Sequence, residues 1–168
     1  ICTDAPDAPW CKNPGMPLQA LGPARNGYGY TPGLRAWLGK HAREFDCTIV
    51  HGLWQYPGRA VLKFLHPKKI PYYVYPHGML DPWFKQAYPF KHLKKAIYWK
   101  FNETHLLRNA ESVLFTCEEE RRLAQDTFNP YRCIGKVAPL GIEPPVGNPV
   151  HQEQVFLQKH PGLEKKGF

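Results

Sequence analysis

Two short runs rich in β-branched and aromatic residues, Thr48–Val50 and Tyr72–Tyr75, each lead into a His-Gly pair, with a helix-like segment between them. A strand, a helix and a second strand in that order specify parallel pairing with a crossover, and so an α/β sheet. In such sheets the loops leaving the carboxyl ends of the strands meet at the ligand crevice. His51-Gly52 and His77-Gly78 would both arrive there, each imidazole followed by a residue that lets backbone approach closely. The alternative for each histidine is a satisfied polar side chain at a strand end; the repeat on consecutive strands favours a binding edge.

The rest of the chain extends the alternation. Thr31–Phe45 is predicted as a helix: Thr31 suits the N-cap, Pro32 the first turn, and Leu34, Trp37, Leu38, His41, Ala42 and Phe45 make one face. Strands are predicted at Cys47–Val50, Tyr72–Tyr75, Ser112–Thr116 and Lys136–Ala138. Helices are predicted at Pro57–Leu65, Lys91–Asn109, Glu118–Thr127 and Val150–His160. The longest, Lys91–Asn109, is expected to bury Leu93, Ala96, Ile97, Phe101, Thr104 and Leu107. The expected fold is a Rossmann-like parallel sheet with helices on both faces. Proline, 18 residues in all, concentrates at 6–32 and 139–161, which are expected to be loop or linker. Ile1–Thr3 reads as the tail of a strand.

Composition narrows the functional classes. An apolar content of 43% supports a packed core, and no window reaches the roughly 18 apolar residues of a membrane span. Five scattered cysteines without CxxC spacing speak against a zinc site or a disulfide framework and fit a reducing cytosol. The net charge of +8 raises nucleic acid as a partner, but no helix-turn-helix, zinc-finger or RNP pattern supports one. Basic residues are densest at Lys85–Lys100, where they mix with aromatic residues from Trp83 onward. Trp83, Phe84, Lys91, Lys94, Lys95 and Trp99 are candidates for a membrane surface, the alternative being a solvated helix face with core aromatics.

Most chemical signatures are absent: GxGxxG, P-loop, GxSxG, HExxH and a DxD pair at a strand end. What remains is the set of strand-end loops: His51-Gly52 with Trp54, His77-Gly78-Met79, Thr116-Cys117-Glu118 and Leu140-Gly141-Ile142. Glu118–Glu120 also suits a helix start on dipole grounds alone.

In their order, "DCTIVHGLW", "IPYYVYPHGMLDPW", a Lys-rich helix, "VLFTCEEE" and "PLGIE" resemble the N-terminal half of GT-B glycosyltransferases, more narrowly the family 4 glycosyl transferases. The resemblance implies a retaining transfer of a sugar from a nucleotide-sugar donor to a glycan or lipid-linked acceptor in cell-surface polysaccharide synthesis. It implies a cytoplasmic, in part peripheral-membrane location, and no metal or other cofactor. It makes His77 the catalytic contact to the transferred sugar, and His51, Gly52, Trp54, Gly78, Met79, Glu118, Gly141 and Ile142 substrate-binding residues. Leu140 stands where the family usually has Asn. On this reading residues 1–143 form the acceptor domain without its first βα unit, and 144–168 are linker and the start of a donor domain. The alternative is a non-catalytic sugar- or membrane-binding module derived from such an enzyme.

Overall fold

The computed structural model describes residues 1–141 and 146–163. Its centre is a four-stranded parallel sheet in the order β1 (Thr48–His51), β2 (Tyr72–Tyr75), β3 (Ser112–Phe115) and β4 (Gly135–Val137), with helices around it. Thr48 pairs with Tyr72 and His51 with Tyr75, so the two His-Gly pairs leave the same end of adjacent strands. Val50, Tyr72, Val74, Val113 and Phe115 are buried core residues of the sheet. The alternate positions Ile49, Tyr73 and Leu114 are less covered, and Ile49 is 47% exposed on the outermost strand.

α1 (Pro32–His41) begins at Thr31, whose hydroxyl accepts from the Gly33 N–H at 3.3 Å, and it buries Leu34 and Leu38. α2 (Tyr56–Phe64) packs against α1 and buries Ala60 and Val61, joining β1 to β2. Between β2 and residue 89 lies a short helix, α3 (Trp83–Ala87), entered through Asp81, whose carboxylate accepts from the Trp83 N–H at 2.8 Å.

The long helix runs as α4 (Pro89–Tyr98), a π turn (Trp99–Glu103) and α5 (Thr104–Arg108). Its expected inner face is reversed in the first half. Leu93, Ile97 and Phe101 are exposed, while His92, Lys95, Ala96 and Trp99 turn inward. Aromatic packing decides this. His92 and Trp99 stack on Phe128, with centroids 4.5 and 4.9 Å away, and the Lys95 ammonium sits 4.8 Å above the Trp54 ring. Beyond the π turn Thr104 and Leu107 are buried, as the periodicity predicts. The wider turn rotates the line of the stripe from the outer side to the inner.

α6 (Glu118–Leu123) follows β3 and packs against β3 and β4; α7 (Pro149–Lys159) is capped by the Asn148 side chain. Ile1–Thr3 does not join the sheet. Cys2 instead bridges Ala20, closing the proline-rich segment into a loop. That closure brings Cys2 and Cys11 together, their sulfurs 3.9 Å apart and with an Asp4 oxygen within 4.8 Å. Scattered sequence spacing therefore hid a compact Cys-Asp-Cys group. Burial and the adjacent Cys2 push the Cys11 thiol pKa up.

Candidate functional site

β1 and β2 end in turns that only a tight backbone can make. Gly52 has φ +83°, and His77 and Gly78 follow each other at φ +51° and +71°. Left-handed backbone at a non-glycine residue costs about 1 kcal/mol, and such strain concentrates at functional sites. Its consequence here is a histidine pair: His51 Nδ1 lies 2.9 Å from His77 Nε2. Both rings stack with Tyr75, at centroid separations of 5.5 and 5.4 Å. Tyr75 is held in turn by its hydroxyl, which donates to the Ala138 carbonyl after β4 at 3.0 Å.

A hydrogen bond between two imidazoles needs one lone pair, so the pair accommodates one added proton and not two. Burial, and secondarily the charge of His77, lowers the His51 pKa. Whichever of the two facing nitrogens donates, the His77 Nδ1 remains outside the bond for another partner.

The two loops are fastened together from below. Met79 lies under the first loop, its sulfur accepting from the Leu53 N–H at 3.1 Å. A Cβ at position 52 would lie 3.3 Å from the Met79 methyl, a contact that a flexible methionine can relieve, so it is the φ of +83° that asks for glycine here. Met79 is accordingly a support for the loop. Glu120 fastens the other side: its carboxylate accepts from the Gly78 N–H at 2.7 Å, the Thr116 N–H at 2.8 Å and the Thr116 hydroxyl at 2.7 Å. One carboxylate therefore joins the β2 and β3 loops. His77, Gly78, Asp81, Thr116, Cys117 and Glu120 line an open cleft of about 480 Å³ at this edge.

The sequence candidates divide accordingly. His51, Gly52, His77 and Gly78 are brought together. Glu118 is not: it pairs with Arg121 on the exposed side of α6, and Glu120, two residues further on, reaches the cleft instead. Trp54 also departs from the expected acceptor wall. At φ +68° it directs its ring into the aromatic cluster of Phe128 and Trp99, with centroids 5.1 and 6.2 Å away. Gly141 is exposed beyond β4 and lines neither cleft beside the imidazoles, and Ile142 lies outside the described residues. Among the membrane-surface candidates, Trp83, Phe84, Lys91 and Lys94 are exposed. Trp99 is fully buried, donating its indole N–H to the Pro130 carbonyl at 2.9 Å, and Lys95 is half-buried over Trp54 and Phe84. Both are corrections forced by the inward turn of that helix face.

One residue of consequence had no sequence signal. Glu103 is fully buried in the π turn; one carboxylate oxygen accepts from the Trp54 N–H at 2.8 Å, and the other has no hydrogen-bond partner among the described residues. Burial raises its pKa to about 7, against the lowering effect of the Trp54 and Asn102 bonds. It anchors the loop that follows His51, so a titratable carboxyl inside the core is coupled to the site edge.

A sequence model described as glycosyl transferase 4-like domain matches residues 1–133. Comparison with curated proteins and with solved structures finds no match.

Proposed function

The chain belongs to the glycosyl transferase 4-like domain family, and from that premise we propose that it forms the acceptor side of an enzyme moving a sugar from a nucleotide-sugar donor to a glycan or lipid-linked acceptor. In this reading residues 1–143 are the acceptor domain, 144–168 lead to a donor domain, and the reaction takes place in the cytoplasm with retention at the anomeric carbon. The nucleotide diphosphate belongs to the donor side, and no residue here is assigned a metal.

The observation that carries the proposal is the His51–His77 pair, set by left-handed turns at the carboxyl edge of a parallel sheet and opening on a cleft. His77 contacts the transferred sugar through the ring nitrogen that His51 leaves free. If His51 donates, His77 Nδ1 carries its proton and donates to a sugar oxygen; in the other tautomer it accepts from a sugar hydroxyl. His51 is a positioning residue, fixing the ring and its tautomer before the sugar arrives. An oriented hydrogen bond at the reacting centre lowers the barrier because its geometry is set in advance.

The test is transfer from UDP-, GDP- and ADP-sugars by the protein as its gene encodes it. His77→Ala is expected to lower turnover about 10²-fold or more with the fold intact by circular dichroism. Unchanged kinetics would make His77 a structural residue and remove the proposal's main support.

A further inference from the structure

The outer face of α4 and the π turn has no partner among the described residues. Phe90, Leu93, Ile97 and Phe101 are 85%, 62%, 59% and 74% exposed and follow one another at spacings of three, four and four residues. They form a single apolar line over three turns, about 17 Å long at 1.5 Å per residue. Four large apolar side chains in a row on a helix of a folded domain are a binding surface, since scattered exposure rather than alignment is the ordinary case.

The chemistry around the line selects its partner. Lys91, Lys94 and Lys100 are exposed beside it, and Lys85 lies on the preceding helix. From Pro82 to Asn102 the sequence has no Asp or Glu. Trp83, 56% exposed, and the half-exposed Tyr88 continue the surface at the amino-terminal end, where Lys91 holds its ammonium 4.6 Å above the Tyr88 ring. A protein partner would have to match a flat apolar line ringed by one sign of charge. A bilayer with anionic headgroups matches both features at once, taking the apolar side chains below the headgroups and the ammonium groups at their level.

We infer that this face docks the domain on a membrane surface rich in anionic lipid, with α4 lying in the interface plane. Only exposed residues take part, so their substitution leaves the core untouched. Trp99 and Lys95 are excluded because they face inward. The inference is independent of the sugar-transfer reading: it concerns where the domain sits, and a protein inactive toward every sugar donor would still dock.

Co-sedimentation with vesicles of phosphatidylcholine alone, or with 30% phosphatidylglycerol as about the anionic share, tests it. Binding is expected to the anionic vesicles and to weaken with salt. Each lysine near an anionic surface is worth about fivefold in partitioning, so Lys91→Glu with Lys94→Glu is expected to lower it roughly 25-fold or more. Phe90→Ser with Phe101→Ser is expected to lower it while leaving the salt dependence, and Lys68→Glu, on another surface, to leave it unchanged. Trp83 emission should shift to the blue with the anionic vesicles. Negligible binding to either vesicle, or equal binding to both, overturns the inference. So does concentration-dependent self-association that Phe90→Ser with Phe101→Ser abolishes in the absence of vesicles, which would make the line a contact between copies.

Discussion

Glu103→Gln is the substitution whose effect the structure fixes most closely. The parent carboxyl is enclosed by the core, and its pKa is raised from the ordinary 4.5 to about 7 by burial. Between those two values the folded protein keeps a proton that the unfolded chain has already released. Stability must therefore fall as pH rises through that window and level off above about 7. At roughly 1.4 kcal/mol per tenfold change in proton affinity the loss comes to about 3 kcal/mol. Glutamine keeps an oxygen to accept from the Trp54 N–H, as Glu103 does at 2.8 Å, and has no proton to lose. The variant should match the parent near pH 4.5 and exceed it by about 3 kcal/mol near pH 8. Burial lowers the pKa values of His51 and His92 and makes stability rise with pH, the opposite direction. Both histidines are present in both proteins, so the difference between the two curves isolates Glu103. Urea unfolding followed by tryptophan fluorescence reads the effect as a midpoint gap of about 1–2 M that opens between pH 4.5 and 8. Parallel curves for parent and variant across that range would refute the reasoning, because they would mean the carboxyl titrates alike in both states.

Two further comparisons address the helix faces and the loop clamp. Trp99→Ala should destabilise by about 3–5 kcal/mol by emptying a fully buried site, whereas Phe101→Ala, two residues on and exposed, should stay within about 0.5 kcal/mol; equal losses in urea unfolding would contradict the inward turn of that face. Glu120→Ala should cost about 1–2 kcal/mol, since it leaves the Gly78 and Thr116 N–H groups without their acceptor, while Glu118→Ala should leave the melting temperature unmoved; a larger effect at Glu118 would reverse the assignment of the clamp.

The parallel sheet was readable because its signals are local. β-branched and aromatic runs closed by His-Gly pairs set β1 and β2, and Tyr72–Tyr75 matches its strand to the residue. The juxtaposition of His51 and His77 follows from the same alternation, since adjacent parallel strands deliver their last residues to one edge. What the periodicity missed was decided across the fold. Leu93, Ile97 and Phe101 are the more uniformly apolar stripe, yet the helix turns His92 and Trp99 inward because Phe128, some thirty residues later, offers them a stacking surface. Glu103 looked like any helix carboxylate, and only the Trp54 backbone, far back in the chain, gives it a reason to be buried. Glu118 and Glu120 are indistinguishable by helix-start preference. Their separation depends on which side chain can reach the loop at Gly78. The Cys2–Cys11 approach likewise rests on a bridge from Cys2 to Ala20 that no spacing rule reveals.

The π turn at Trp99–Glu103 makes this helix longer in residues than in path. A π turn arises as one residue inserted into an α-helix, so the segment stores its length as phase: the stripe that faces outward at Phe101 faces inward by Thr104. The region should accordingly tolerate the loss of one residue better than the gain of one. Removing Lys100 alone would let the ladder close into ordinary α-helix with Glu103, Leu106 and Leu107 still in place, whereas one residue added there would swing the downstream half by roughly 100°, carrying Leu106 and Leu107 away from α2 and lifting Glu103 off the Trp54 N–H. Loss of cooperative unfolding in that one-residue insertion, beside a well-folded deletion of Lys100, would be the mark of a helix whose register, more than its composition, holds the two halves of the domain to one core.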